Sequence, residues 1–139
     1  MRDALARFDE ILRRELEFEA VLEEAGALAL EVGDRPAALR LSKSLAALNP
    51  WSSTTHERLA QLHALDRDDP GAAREAGETL RLNPFLPLPR TIRIRSALGR
   101  NDLAGARRDL DALIGVNPAS RQLLEGWFDR QKRAAVQRR

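Results

Sequence analysis

The chain of 139 residues has no cysteine and no tyrosine, one methionine, two tryptophans and four phenylalanines. Without cysteine there is no disulfide framework, no thiolate metal site and no cysteine nucleophile. With only two histidines as well, the usual ligand set of a structural zinc site is missing. No apolar run approaches the roughly 18 to 20 residues that span a bilayer. The first twenty residues are charged throughout, which is not the pattern of a secretory signal. There is no glycine-rich phosphate loop and no nucleophile elbow. Few β-branched or aromatic residues remain to build strands.

What is abundant is Leu (23), Ala (22) and Arg (21), nearly half of the chain. These are good helix formers, and the composition predicts an all-α fold. Charge is uneven. Residues 1–34 carry four basic and ten acidic side chains, while residues 35–139 carry nineteen basic and eleven acidic. A polarised surface steers oppositely charged partners, or copies of the same chain. A plain solvated surface rich in arginine explains the same counts.

The strongest signal is an internal repeat. Leu48-Asn49-Pro50, Leu82-Asn83-Pro84 and Val116-Asn117-Pro118 recur with a 34-residue spacing. Other columns keep that spacing: Asp34, Asp68 and Asp102; Ala38, Ala72 and Ala106; Leu45, Thr79 and Leu113. Each unit contains two helical stretches. Leu22, Ala25, Gly26 and Ala29 form an apolar stripe before the Gly33-Asp34 break. Asp34 caps the second helix, with Pro36 in its first turn, where a missing N–H costs nothing. Asn49-Pro50 ends that helix, because the residue before a proline avoids the helical region. In the second unit, Thr54 and Glu57 suggest a capping box. In the third, Arg100-Asn101-Asp102 makes the turn and Gly115 is expected to close the second helix.

These residues resemble the tetratricopeptide repeat family: the period, the Gly33-Asp34 turn, the small column Ala38/Ala72/Ala106 and the closing prolines Pro50, Pro84 and Pro118. The likeness covers residues 19–130, although the large-aromatic columns of the family are poorly kept. It implies a right-handed α-solenoid of helix–turn–helix repeats. The expected organisation is one domain: an N-terminal helix over 1–18, read either as the second helix of a truncated repeat or as an amphipathic helix that caps the stack, repeats at 19–52, 53–86 and 87–120, and a C-terminal helix with a basic tail over 121–139. Lacking a closing proline at Leu16, residues 2–31 are expected to run as one helix, and 131–139 to be frayed.

The family resemblance implies a non-catalytic protein–protein interaction module whose first helices line a groove for a partner peptide or helix. The groove columns hold Glu23, Ala27 and Leu30, then Thr54, Glu57 and Gln61, then Thr91 and Arg95, then Glu125. The family's carboxylate clamp needs Lys and Asn where Glu23, Ala27 and Glu57 stand, so capture of an acidic chaperone tail is not expected. No catalytic residue, cofactor or metal site is expected. His56 and His63 are seven apart, not the three or four of a helical metal pair, and fall where side chains pack between helices. Arg90, Arg93, Arg95, Arg100, Arg107 and Arg108 raise the alternative of a nucleic-acid-binding helical repeat, but no aromatic residues interleave with them. Pro87 and Pro89 are expected to shift this helix by a residue, placing Ile92 inward and Arg93 out. A protein partner is therefore favoured over nucleic acid; a regulatory end of a larger enzyme is the third reading. Phe8 and Leu12 at the front, and Trp127 and Phe128 at the back, are expected apolar ends suited to self-association. No membrane insertion is expected; a soluble, cytoplasmic location is the default and the compartment is open.

Overall fold

The computed structural model describes Arg2 to Arg138, and the side chains of Arg2, Asp3, Leu5, Phe8 and Leu12 lie outside that description. Among the described residues the secondary structure is helical, with no strand. The helices are α1 (Arg2–Glu31), α2 (Arg35–Leu48), α3 (Ser53–Leu65), α4 (Asp69–Leu82), α5 (Pro87–Gly99), α6 (Leu103–Val116) and α7 (Arg121–Gln137), with a 3-10 turn at Pro118–Ser120 before α7. The first helix is unbroken across residue 18, as the absence of proline and glycine through that stretch dictates.

Three turns between paired helices are built alike, at 34-residue spacing. The residue at each corner has positive φ: Gly33 at +80°, Arg67 at +58° and Asn101 at +60°. The next residue is always aspartate. Its N–H donates to the carbonyl five residues back, Asp34 to Ala29, Asp68 to His63 and Asp102 to Ala97, each at 2.8 Å. This is the left-handed closure that satisfies the last carbonyls of a helix. The same aspartates open the next helix. Their carboxylates accept the N–H of Ala37 (3.0 Å), Gly71 (3.0 Å) and Gly105 (2.8 Å). One residue thus ends one helix and caps the next, which fixes the geometry of the hairpin.

The second helices end on asparagine. Asn49, Asn83 and Asn117 donate their N–H groups to Leu45, Thr79 and Leu113 at 2.8, 2.8 and 3.1 Å. The α6 helix runs through Gly115 to Val116, so asparagine rather than glycine closes it. At the start of α3 the cap is Ser52, whose hydroxyl accepts the Thr55 N–H at 3.3 Å, two residues earlier than the Thr54–Glu57 pair suggests.

The chain divides into two compact units, residues 1–51 and 52–139. In the first, α1 packs on α2 through Leu22, Ala29, Ala38 and Leu45. The Asn49 side chain ties the end of α2 to Glu19 of α1 at 2.8 Å. In the second, α4 packs on α3 and α5, α3 on α5, and α7 on both α5 and α6. Ile94, Leu98, Leu110, Leu113, Ile114 and Phe128 form the larger core, and Ala60, Ala72, Ala76 and Ile92 a smaller one. The small column Ala38/Ala72/Ala106 is fully buried, because only a methyl fits where two helix backbones approach.

Residues 131–137 are helical, not frayed. Ala135 is buried at 4% exposure beside Phe128, seven residues away on the same face of α7. Burial of that single methyl column holds the final turns against the core, and the arginines around it face outward.

Candidate functional site

Within the second unit a cleft of about 870 Å³ opens between the C-terminal ends of α3, α5 and α7. Ala64, Ala72 and Ala134 supply a small-residue wall, and Ile92 adds an apolar surface. Arg67, Arg95 and Arg138 bring three guanidinium groups to this space, against one carboxylate, Asp69. Arg67 is held there by the left-handed corner after α3. Arg95 lies with its guanidinium 5.9 Å from the ring centre of Trp127, and its Nε donates to Gln131 Oε1 at 3.3 Å. The cation–π contact and this hydrogen bond set the direction of a charge that is otherwise open to solvent.

Of the nine groove residues expected from the sequence, Arg95 is the one that lines this cleft. Thr54, Glu57 and Gln61 stand nearer the start of α3, exposed except for the half-buried Glu57. Burial pushes the Glu57 carboxyl above its ordinary value. The Thr91 hydroxyl donates to the Leu88 carbonyl at 2.7 Å within its own helix. Glu125 turns toward α6, where Arg107 grips it with two nitrogens at 2.8 and 2.9 Å. The bond from Arg107 holds the Glu125 carboxyl below its ordinary value. Glu23, Ala27 and Leu30 belong to the first unit, Ala27 exposed and the other two half-buried. What the columns missed are Arg67, Gln131 and Arg138. A chain corner and the last turns of α7 lie outside the periodic helix positions that such a reading samples.

At the expected apolar back end, Leu123 and Val136 of α7 are exposed, while the two aromatic residues are not. Phe128 is 4% exposed inside the larger core, and Trp127 packs against the same cluster. Phe8 and Leu12 lie outside the described residues.

Both histidines are buried between helices. His56 Nδ1 hydrogen-bonds the Glu75 carboxylate of α4 at 2.7 Å, and His63 Nδ1 bonds Asp68 at 2.8 Å. Asp68 is held below the ordinary carboxylate range, first by the Gly71 N–H and then by His63. Among the described residues no three His, Asp or Glu side chains converge as a metal site.

Of the arginines of α5 and α6, Arg90, Arg93 and Arg107 are engaged by carboxylates, whereas Arg95, Arg100 and Arg108 are exposed. Arg90 and Arg93 converge on the buried Asp109 at 3.2 and 3.1 Å, with Ile92 and Ile94 turned inward. Arg107 pairs with Asp111 and Glu125, and Arg100 donates to the Ser96 hydroxyl at 2.7 Å. The pair Arg90–Asp109 occupies the same repeat columns as His56–Glu75, 34 residues on. In the first repeat those columns hold Leu22 and Leu41.

No described helix is long and apolar enough to cross a membrane. No protein-family model matches the sequence, and no curated protein matches it either.

Proposed function

We propose that the chain is a tetratricopeptide-like solenoid module without catalytic activity, and that the cleft of its second unit binds an acidic segment of a partner protein. The observation that carries this reading is the threefold recurrence of one turn: positive φ at residues 33, 67 and 101, each followed by an aspartate that bonds both flanking helices. Hairpins repeated in this way cannot bury their apolar faces alone and stack on their neighbours. The packing of α5 on both members of the preceding pair supports the same arrangement.

The cleft then falls on the side lined by first helices. Its three arginines over small side chains suit an extended backbone carrying Asp or Glu. The nucleic-acid reading loses support, because Arg90, Arg93 and Arg107 are neutralised by carboxylates rather than presented in a row.

Selection of random peptides on the immobilised chain tests this. Enriched sequences should be rich in Asp and Glu, should bind more weakly as salt rises, and should be lost on Arg95→Glu. Enrichment that ignores Arg95→Glu, or preferential retention of single-stranded nucleic acid, would overturn it.

A further inference from the structure

The first helix carries a second, separate feature. Phe18, Val21, Ala25, Leu28 and Val32 are spaced three and four apart in turn, the seam of a coiled coil. Val32 stays in the helical spiral, since its N–H still donates to the Leu28 carbonyl at 3.0 Å. The face that α1 buries against α2 carries Leu22, Gly26 and Ala29 instead. The large residues of the seam are open: Val21 is 60% exposed and Leu28 59%. Toward the start of the helix the next seam position is Arg14, which pairs with Glu10 at 2.7 Å, and Ile11 one step beyond it is exposed.

The repeat gives this exposure a meaning. Counting on by 34, Val21 corresponds to Thr55 and Pro89, and Leu28 to Leu62 and Ser96. All four are buried. In α5, which bears Pro89 and Ser96, the helix packs against the preceding pair α3 and α4. The face that takes helices elsewhere in the fold is therefore apolar, regular and open in α1.

Charge specifies what fits it. Glu10, Glu17, Glu24 and Glu31 lie along one flank of the seam, seven residues apart; Glu10 is paired with Arg14, and Glu17, Glu24 and Glu31 flank the apolar part. Across a helix–helix seam such a flank selects basic residues. Two copies of α1 paired antiparallel would set glutamate rows against each other, and paired parallel would leave both rows without cationic partners. An anionic lipid surface meets the same repulsion.

We infer that this seam of α1 is a docking face for an amphipathic helix of another protein, one with Lys or Arg along its flank. The inference is independent of the cleft in the second unit.

The test uses the full chain and two synthetic peptides of about four heptads, both with Ile and Leu in the seam, one with Lys and the other with Glu on the flanks. The Lys peptide should bind and the Glu peptide should not. Val21→Asp with Leu28→Asp should weaken the Lys peptide at least about tenfold, although the new charges favour nonspecific attraction of a cation. Glu17→Lys with Glu24→Lys and Glu31→Lys should reverse the preference, which controls for any loss of folding in the first variant. Equal binding of both peptides would overturn the inference. So would binding indifferent to the Val21/Leu28 pair, self-association in sedimentation that this pair abolishes, or seam-dependent binding to vesicles of phosphatidylserine.

Discussion

Asp109 shows how one column of a repeat solves one problem in different chemistries. Its carboxylate is 6% exposed and held by two arginines, whereas the first repeat places Leu22 and Leu41 in the corresponding columns. Removing one member of a buried pair leaves a stranded charge. Asp109→Ala should therefore cost about 3 kcal/mol in urea unfolding, whereas Arg90→Leu with Asp109→Leu should cost much less. Equal losses would mean that the ion pair itself, not the stranded arginine, sets stability. Glu57 makes the opposite case. Burial raises its pKa in the fold, so its charge opposes folding at neutral pH, and that cost fades as pH falls through the folded value. Glu57→Gln should raise Tm at pH 7 and give no gain near pH 3. Asp68 has the reverse sign: its lowered pKa supports the fold above the ordinary carboxylate range, and the support is lost as acid protonates it.

At the scale of elements, the hairpin turns were legible from the sequence because their chemistry is local. An aspartate at each corner, with proline or glycine inside the next helix, is enough to place all three. The ion pairs between helices could also have been read, since His56/Glu75 and Arg90/Asp109 share a spacing and both change together along the repeat. The last turns of α7 could not. Four of the nine residues from 131 on are basic, three arginines and Lys132, and what keeps the segment helical is the burial of Ala135 against a core assembled from α5 and α6. Sequence periodicity does not reveal a neighbour. The corners yield a prediction. Gly33→Ala forces a side chain into the left-handed region and should destabilise by about 1 kcal/mol. Arg67→Gly relieves that cost at the second corner and should stabilise by up to about 1 kcal/mol. The same Arg67→Gly change should weaken acidic-peptide binding, so calorimetric melting and peptide titration should move in opposite directions.

For the whole molecule, the repeat reading makes stability additive over neighbours rather than a property of one closed core. The second unit holds both large buried clusters, from Ala60 to Ala135. A chain of residues 52–139 should retain helical circular dichroism and a cooperative melt, and residues 1–51 alone should be far less stable. Collapse of the 52–139 chain to a coil would mean that the units do not fold as separate cooperative blocks. The functional account stands most directly on where a bound peptide sits. Amide chemical-shift mapping of the chain with the acidic peptide from display selection answers that. The account predicts perturbations gathered on Ala64, Arg67, Ile92, Arg95, Gln131 and Arg138, and their loss in Arg95→Glu. Perturbations confined to the outer faces of α4 and α6, with the cleft residues unmoved, would contradict it.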